Sequence, residues 1–117
     1  MKKIWLLLFC FLMTACSQPD DAVSNDRIYF FYATGCSHCH NALEYIDKNY
    51  PKLDLTKVNV GNRAGYDLLL RAAAKFKISG NLGTPLIVFG NDFIMGWGDT
   101  TSKKFDAKIK RFLRKNN

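Results

Sequence analysis

The chain has 117 residues, 48% of them hydrophobic and 23% charged, with four cysteines and a formal net charge of +7. That length holds one small domain and excludes a multidomain enzyme. The basic balance comes with neither zinc-finger spacing nor a basic–aromatic platform, so nucleic-acid recognition is not expected.

Taken in order, Met1, Lys2 and Lys3 give a positive start and residues 4–13 form a short apolar run. Thr14 and Ala15 then place small residues before Cys16. A charged start, a short apolar stretch and a small-residue cleavage site predict an export signal. The run is well below the ~20 residues that cross a bilayer. Met13-Thr14-Ala15-Cys16 resembles the lipobox of bacterial lipoproteins, with Met13 where Leu is more usual. The resemblance implies that Cys16 becomes the lipidated first residue of the mature protein. Residues 1–15 are thus read as signal peptide, 16–26 as lipidated tether and 27–117 as the domain. Removing Lys2 and Lys3 takes the charge from +7 to +5.

Residues 17–26 (SQPDDAVSND) are polar and aperiodic, as a tether should be. Residues 28–33 (IYFFYA) predict a buried aromatic strand, broken by Thr34-Gly35. From 36 to 50, Cys39, Leu43 and Ile46 keep helical spacing until Pro51. Residues 53–60 predict a second strand and 66–76, rich in good helix formers, a second helix. After a loop over 79–84, residues 86–89 predict a strand that turns at Gly90-Asn91 into a second one over 93–95. Thr101 or Ser102 is expected to cap a last helix with the apolar stripe Phe105, Ile109, Phe112 and Leu113. The order β-α-β-α-β-β-α predicts one α/β domain with a central mixed sheet and helices on both faces. The cations near the C-terminus fit a solvated helix face, or a surface for anionic headgroups or acidic partners.

With Cys10 removed and Cys16 acylated, Cys36 and Cys39 remain as free side chains, too close in sequence to staple a fold. Cys36 falls where a strand ends and a helix begins. Unpaired N–H groups and the helix dipole there stabilise a thiolate, which is the attacking species. Cys39, one turn later, can attack Cys36 and resolve a mixed disulfide. Cys36 is therefore read as nucleophile and Cys39 as resolving thiol. Between them, His38 either supports the thiolate or is an exposed polar residue.

A strand, Cys36-Ser37-His38-Cys39, a helix and, far downstream, Thr84-Pro85 before a hairpin resemble the thioredoxin superfamily. The resemblance implies that Pro85 is cis and packs on the disulfide, and that Thr84 touches substrate. Gly35 to His40, with Ser79 to Pro85, is similar to the catalytic domain of periplasmic Dsb-type disulfide isomerases. That implies exchange with protein thiols and disulfides, and a membrane or periplasmic redox partner. The lipobox resemblance at Cys16 implies a periplasm-facing lipid anchor, and Ser17 rather than Asp after it suggests the inner leaflet of the outer membrane in a Gram-negative cell. No cofactor or metal is required. Those isomerases carry an N-terminal dimerisation domain that ten tether residues cannot replace, so a monomer is expected. Thioredoxins proper place a buried acid where this chain has Phe30. Gly96-Trp97-Gly98-Asp99 partly resembles the glutathione-binding Gly-Gly-x-Asp stretch of glutaredoxins. Thr84-Pro85 departs from their Thr-Val-Pro, so glutathione dependence is not expected.

Three readings compete. Cys36 to His40 is a literal C-x-x-C-H haem-attachment pattern, with His40 as proximal ligand and Met95 or His38 as distal partner. The alternating β and α elements oppose it. Copper or zinc on Cys36 and Cys39, with His38 and His40 nearby, is the stronger rival. A purely structural lipoprotein is the third, opposed by the retention of both cysteines and the proline.

Overall fold

A computed structural model describes residues 23–116. The expected signal peptide (1–15), Cys16 and most of the expected tether lie outside the described residues. The elements are β1 (Ile28–Tyr32), α1 (Ser37–Asn49), β2 (Leu55–Asn59), α2 (Arg63–Lys75), β3 (Leu86–Phe89), β4 (Asp92–Met95) and α3 (Asp99–Lys115). This is the expected order, in a thioredoxin-like α/β domain.

The sheet runs β2-β1-β3-β4. β1 pairs parallel with β2, Tyr32 opposite Asn59, and antiparallel with β3, Ile28 opposite Phe89 and Phe31 opposite Leu86. β4 returns antiparallel to β3. Because alternate side chains leave a strand on opposite faces, β1 divides its aromatic run. Ile28 and Phe30 join Ile46, Ile87, Phe89, Phe105 and Ile109 in one core cluster. Tyr29 and Phe31 join Val58, Leu69, Leu86 and Val88 in the other. Continuous apolar runs in β1 and β3 are thus what a strand covered on both faces requires.

The hairpin turns at Gly90, whose φ of +69° is the left-handed region that glycine occupies without strain. Helix α1 closes on Tyr50, whose N–H donates to the Ile46 carbonyl, and Pro51 prevents continuation. Two helix starts differ from expectation. Asn62 caps α2, accepting the Gly65 N–H at 2.7 Å, so the helix begins three residues before the predicted 66. Gly65 masks this start because glycine is a poor helix former. Here its missing side chain is needed: a Cβ would lie 1.9 Å from the Asn59 carbonyl oxygen. Neither Thr101 nor Ser102 caps α3. Gly98 is the cap, and Thr101, one turn inside, takes the Gly98 N–H on its hydroxyl. No helix among the described residues is long and apolar enough to cross a membrane.

Candidate active site

The local sequence dictates the placement of the two sulfurs. β1 ends at Tyr32, Gly35 supplies a φ of +82°, and Cys36 takes an extended backbone (φ −81°, ψ 106°) as N-cap of α1. Its Sγ accepts the Cys39 N–H at 3.1 Å, the position an N-cap oxygen would occupy. No acidic side chain lies in the first turn of α1 to oppose negative charge on that sulfur. Cys36 is half-buried, while Cys39 is 3% exposed and belongs to the core cluster of Phe30 and Ile87. The two are disulfide-bonded.

A loop distant in sequence completes the site. The Thr84–Pro85 peptide bond is cis, and Pro85 is buried. The Thr84 hydroxyl donates to Cys36 Sγ at 3.4 Å, and that sulfur lies 3.7 Å from the Thr84 carbonyl oxygen, where a reduced S–H would point. Thr84, Pro85, Cys36 and Cys39 are therefore brought together. His38 and His40 are exposed on the first turns of α1, and His40 reaches toward Glu44 at 3.5 Å. Among the described residues no group of three or more His, Cys, Asp or Glu side chains converges as a metal site. Among the described residues, no third His, Cys, Asp or Glu side chain therefore joins Cys36 and Cys39 in such a group. Cys16 lies outside the described residues.

Beside the disulfide, Tyr32, Ala33, Thr34, Gly35, Asn41 and Leu43 help form a shallow, mainly apolar depression of about 500 Å³. No lysine or arginine lines it. Across the cis-proline loop, Met95 is 37% exposed, and its sulfur accepts the Gly83 N–H at 3.4 Å. Nothing in the sequence marked Met95 for this contact, because residues 83 and 95 meet only through the hairpin.

Phe30 is fully buried and belongs to the same core cluster as Cys39. The described residues bury no polar or charged side chain. A proton leaving or reaching Cys39 must therefore pass through Cys36 or through water, since no carboxylate is buried there. Aromatic rings also pack behind α1: Trp97 lies 5.4 Å from Tyr45 and 6.0 Å from Phe105, centroid to centroid. Trp97 is half-buried. A disulfide-forming cysteine pair beside this aromatic cluster is consistent with a thiol–disulfide oxidoreductase active site.

The arrangement has a plain chemical reading. One sulfur is reachable, meets two hydrogen-bond donors and sits at the positive end of a helix, which favours its thiolate. The other is sheltered below it, one helical turn away.

Comparison with known proteins supports the fold. No protein-family model and no curated protein matches the chain. Among solved structures it is similar to a buckwheat glutaredoxin determined in complex with glutathione, with a TM-score of 0.54 and 17% identity. The alignment covers 76% of this chain and 77% of that one.

Proposed function

We propose that the protein is an exported, lipid-anchored thiol–disulfide oxidoreductase that exchanges disulfides with protein substrates through Cys36 and Cys39. The observation that carries this reading is Cys36 at the N-cap of α1, half-buried, with Thr84 donating to its sulfur and Cys39 sheltered beneath it. In the reducing direction, the Cys36 thiolate attacks one sulfur of a substrate disulfide. A mixed disulfide forms, and the other substrate sulfur leaves as a thiolate that takes a proton from water. Cys39, deprotonated, then attacks Cys36 Sγ, releasing the second substrate thiolate and leaving the Cys36–Cys39 disulfide. Two electrons pass to the substrate, and the same steps reversed oxidise a dithiol.

The likeness to a glutaredoxin solved with glutathione raises glutathione as an alternative thiol. Glutathione carries two carboxylates, and such groups are best held by Arg or Lys. With neither lining the depression beside Cys36, its apolar floor suits a polypeptide better. Export rests on the signal-like residues 1–15, and anchoring on Cys16. These support a periplasm-facing lipoprotein, on the inner leaflet of the outer membrane in a Gram-negative cell.

The test is a redox titration of the purified protein in glutathione buffers, counting free thiols by alkylation. A reversible two-electron transition between about −270 and −120 mV is expected. Thiols that never form the disulfide, or that stay masked until a chelator is added, would overturn the reading. Reduction of a protein disulfide substrate at least tenfold faster than of a glutathione mixed disulfide would assign the substrate class.

A further inference from the structure

The fold separates the point where the chain arrives from the point where its chemistry lies. β1 runs from Ile28 to Tyr32, and Cys36 follows at its far end. Each helix starts at that same far end: α1 at Ser37, α2 after Asn59, which pairs with Tyr32, and α3 after Met95, which pairs with Leu86. All three C-termini therefore point back to the end where residues 23–27 join the sheet. Their last turns carry Lys48, Lys75, and Arg114 with Lys115. Cations belong there because the helix dipole favours them; the consequence is that they collect at one pole.

The join itself lies among them. Asn25 shares a surface hollow with Lys108, Arg111 and Lys115, and Lys75 Nζ donates to Asn25 and to the Gly90 carbonyl. Arg27 and Lys52 flank a second hollow with Phe112 and Leu113, and Leu113 is 39% exposed. The carboxylates of the two hollows are Asp26, Asp54 and Asp92. Asp92 pairs with Lys108 at 2.6 Å and Arg111 at 3.7 Å. Arg27, Lys52, Arg114 and Lys115 are exposed and join no ion pair among the described residues.

We propose that this basic pole rests on anionic lipid headgroups, with Leu113 against the interface, and holds the dithiol outward, away from the bilayer. The proposal rests on the lipid-anchored reading above for its proximity to a membrane. Six residues lie between Cys16 and Val23, a contour of at most ~25 Å over the seven steps, so the pole nearest the tether is the one that meets the surface. Each Lys or Arg near an anionic leaflet strengthens association roughly fivefold. The distance along β1 puts Cys36 on the order of 15–20 Å from the pole, beyond a Debye length of ~8 Å at physiological salt. Soluble polypeptides, rather than groups within the membrane, are then the substrates Cys36 can meet.

The full chain, reconstituted on vesicles of phosphatidylcholine alone or mixed equally with phosphatidylglycerol, tests this by lysine acetylation and mass spectrometry. On the anionic vesicles Lys52 and Lys115 should be acetylated at least fivefold more slowly, while Lys57 and Lys103 are unaffected. High salt should abolish the difference, and the alkylation rate of reduced Cys36 should be the same on both lipids. Arg27→Glu with Arg114→Glu should weaken the association at least twentyfold and restore acetylation. Equal labelling on both lipids, or slowed alkylation of Cys36 on the anionic ones, would overturn the proposal. Protection by soluble polyglutamate as strong as that by the vesicles would also overturn it, assigning an acidic protein instead. The intact mass of the cell-extracted chain tests the anchor separately. Unacylated protein that still shows the protection refutes the anchor and keeps the pole; acylated protein without it does the reverse.

Discussion

Cys36 Sγ meets two donors of different origin, the Cys39 N–H of its own helix at 3.1 Å and the Thr84 hydroxyl of a distant loop at 3.4 Å. The first cannot be removed by substitution, but the second can. Thr84→Val keeps the branched shape and loses the hydroxyl. A hydrogen bond to a charged group contributes about 1.5–3 kcal/mol, and half-burial of Cys36 places this one at or below the lower bound. Alkylation of the reduced protein by iodoacetamide at mildly acidic pH should slow about three- to tenfold. An unchanged rate would show that the helix N-terminus alone carries the thiolate. The half-burial of Cys36 and the 3% exposure of Cys39 support the proposed roles of nucleophile and resolving thiol. Cys36→Ser should abolish turnover, and Cys39→Ser should accumulate a mixed disulfide with substrate, visible on a non-reducing gel; trapping by the Cys36→Ser variant would invert the assignment. This half of the site was legible in the sequence because strand, break, cysteine and helix are contiguous. The Thr84 half was legible only through a family resemblance, since a contact 48 residues away leaves no periodic trace. The contact of Met95 with Gly83 was not legible at all.

Between elements, α1 and α3 are tied by one carboxylate. Tyr45 and Tyr50 hydroxyls donate to the two oxygens of Asp106, each at 2.7 Å. These pairs span 61 and 56 residues, which is why the helical pattern exposed the stripes but not the clasp. The hydrogen bond to Asp106 raises the Tyr45 pKa first of all, with burial next; burial and then the same carboxylate push Tyr50 well above the usual phenol value of 10.0. A raised folded-state pKa contributes stability that is complete below the unfolded value and lost as pH climbs through the folded one. Stability should therefore hold to about pH 10 and fall above it, with phenolate absorbance appearing alongside loss of structure. Tyr50→Phe should shallow that fall, and an identical alkaline transition in this variant would count against the clasp. Asp106→Ala, which removes two charge-assisted bonds at a partly exposed site, should cost roughly 1–3 kcal/mol in urea unfolding. Gly65→Ala carries the opposite lesson to helix propensity. Alanine would gain about 1 kcal/mol within a helix, yet its Cβ falls 1.9 Å from the Asn59 carbonyl oxygen. The clash should dominate, with a net loss of about 1–3 kcal/mol.

At the scale of the whole molecule, the two cores are not independent, because β1 and β3 contribute alternate residues to each. Phe30 and Ile87 face α1 and α3; Phe31 and Leu86, their neighbours in the chain, face the other cluster. Losing either layer would expose one face of strands that the other layer needs in place, so the domain should unfold as a single cooperative unit. Phe105 tests this. It is fully buried and touches Tyr50, Phe89 and Trp97 with ring centroids 5.6, 5.9 and 6.0 Å away. Phe105→Ala should cost about 3–5 kcal/mol by transfer and cavity terms together. Two probes then separate cooperative from layered unfolding. Trp97 fluorescence reports the α1–α3 layer, where its ring meets Tyr45 and Phe105, and far-ultraviolet circular dichroism reports the sheet and all three helices. Coincident midpoints in the parent and in Phe105→Ala, both lower in the variant, are expected. If fluorescence changed before the circular dichroism in the variant, the α2 face would be able to hold the sheet alone, and the alternation along β1 and β3 would be a packing pattern without thermodynamic coupling.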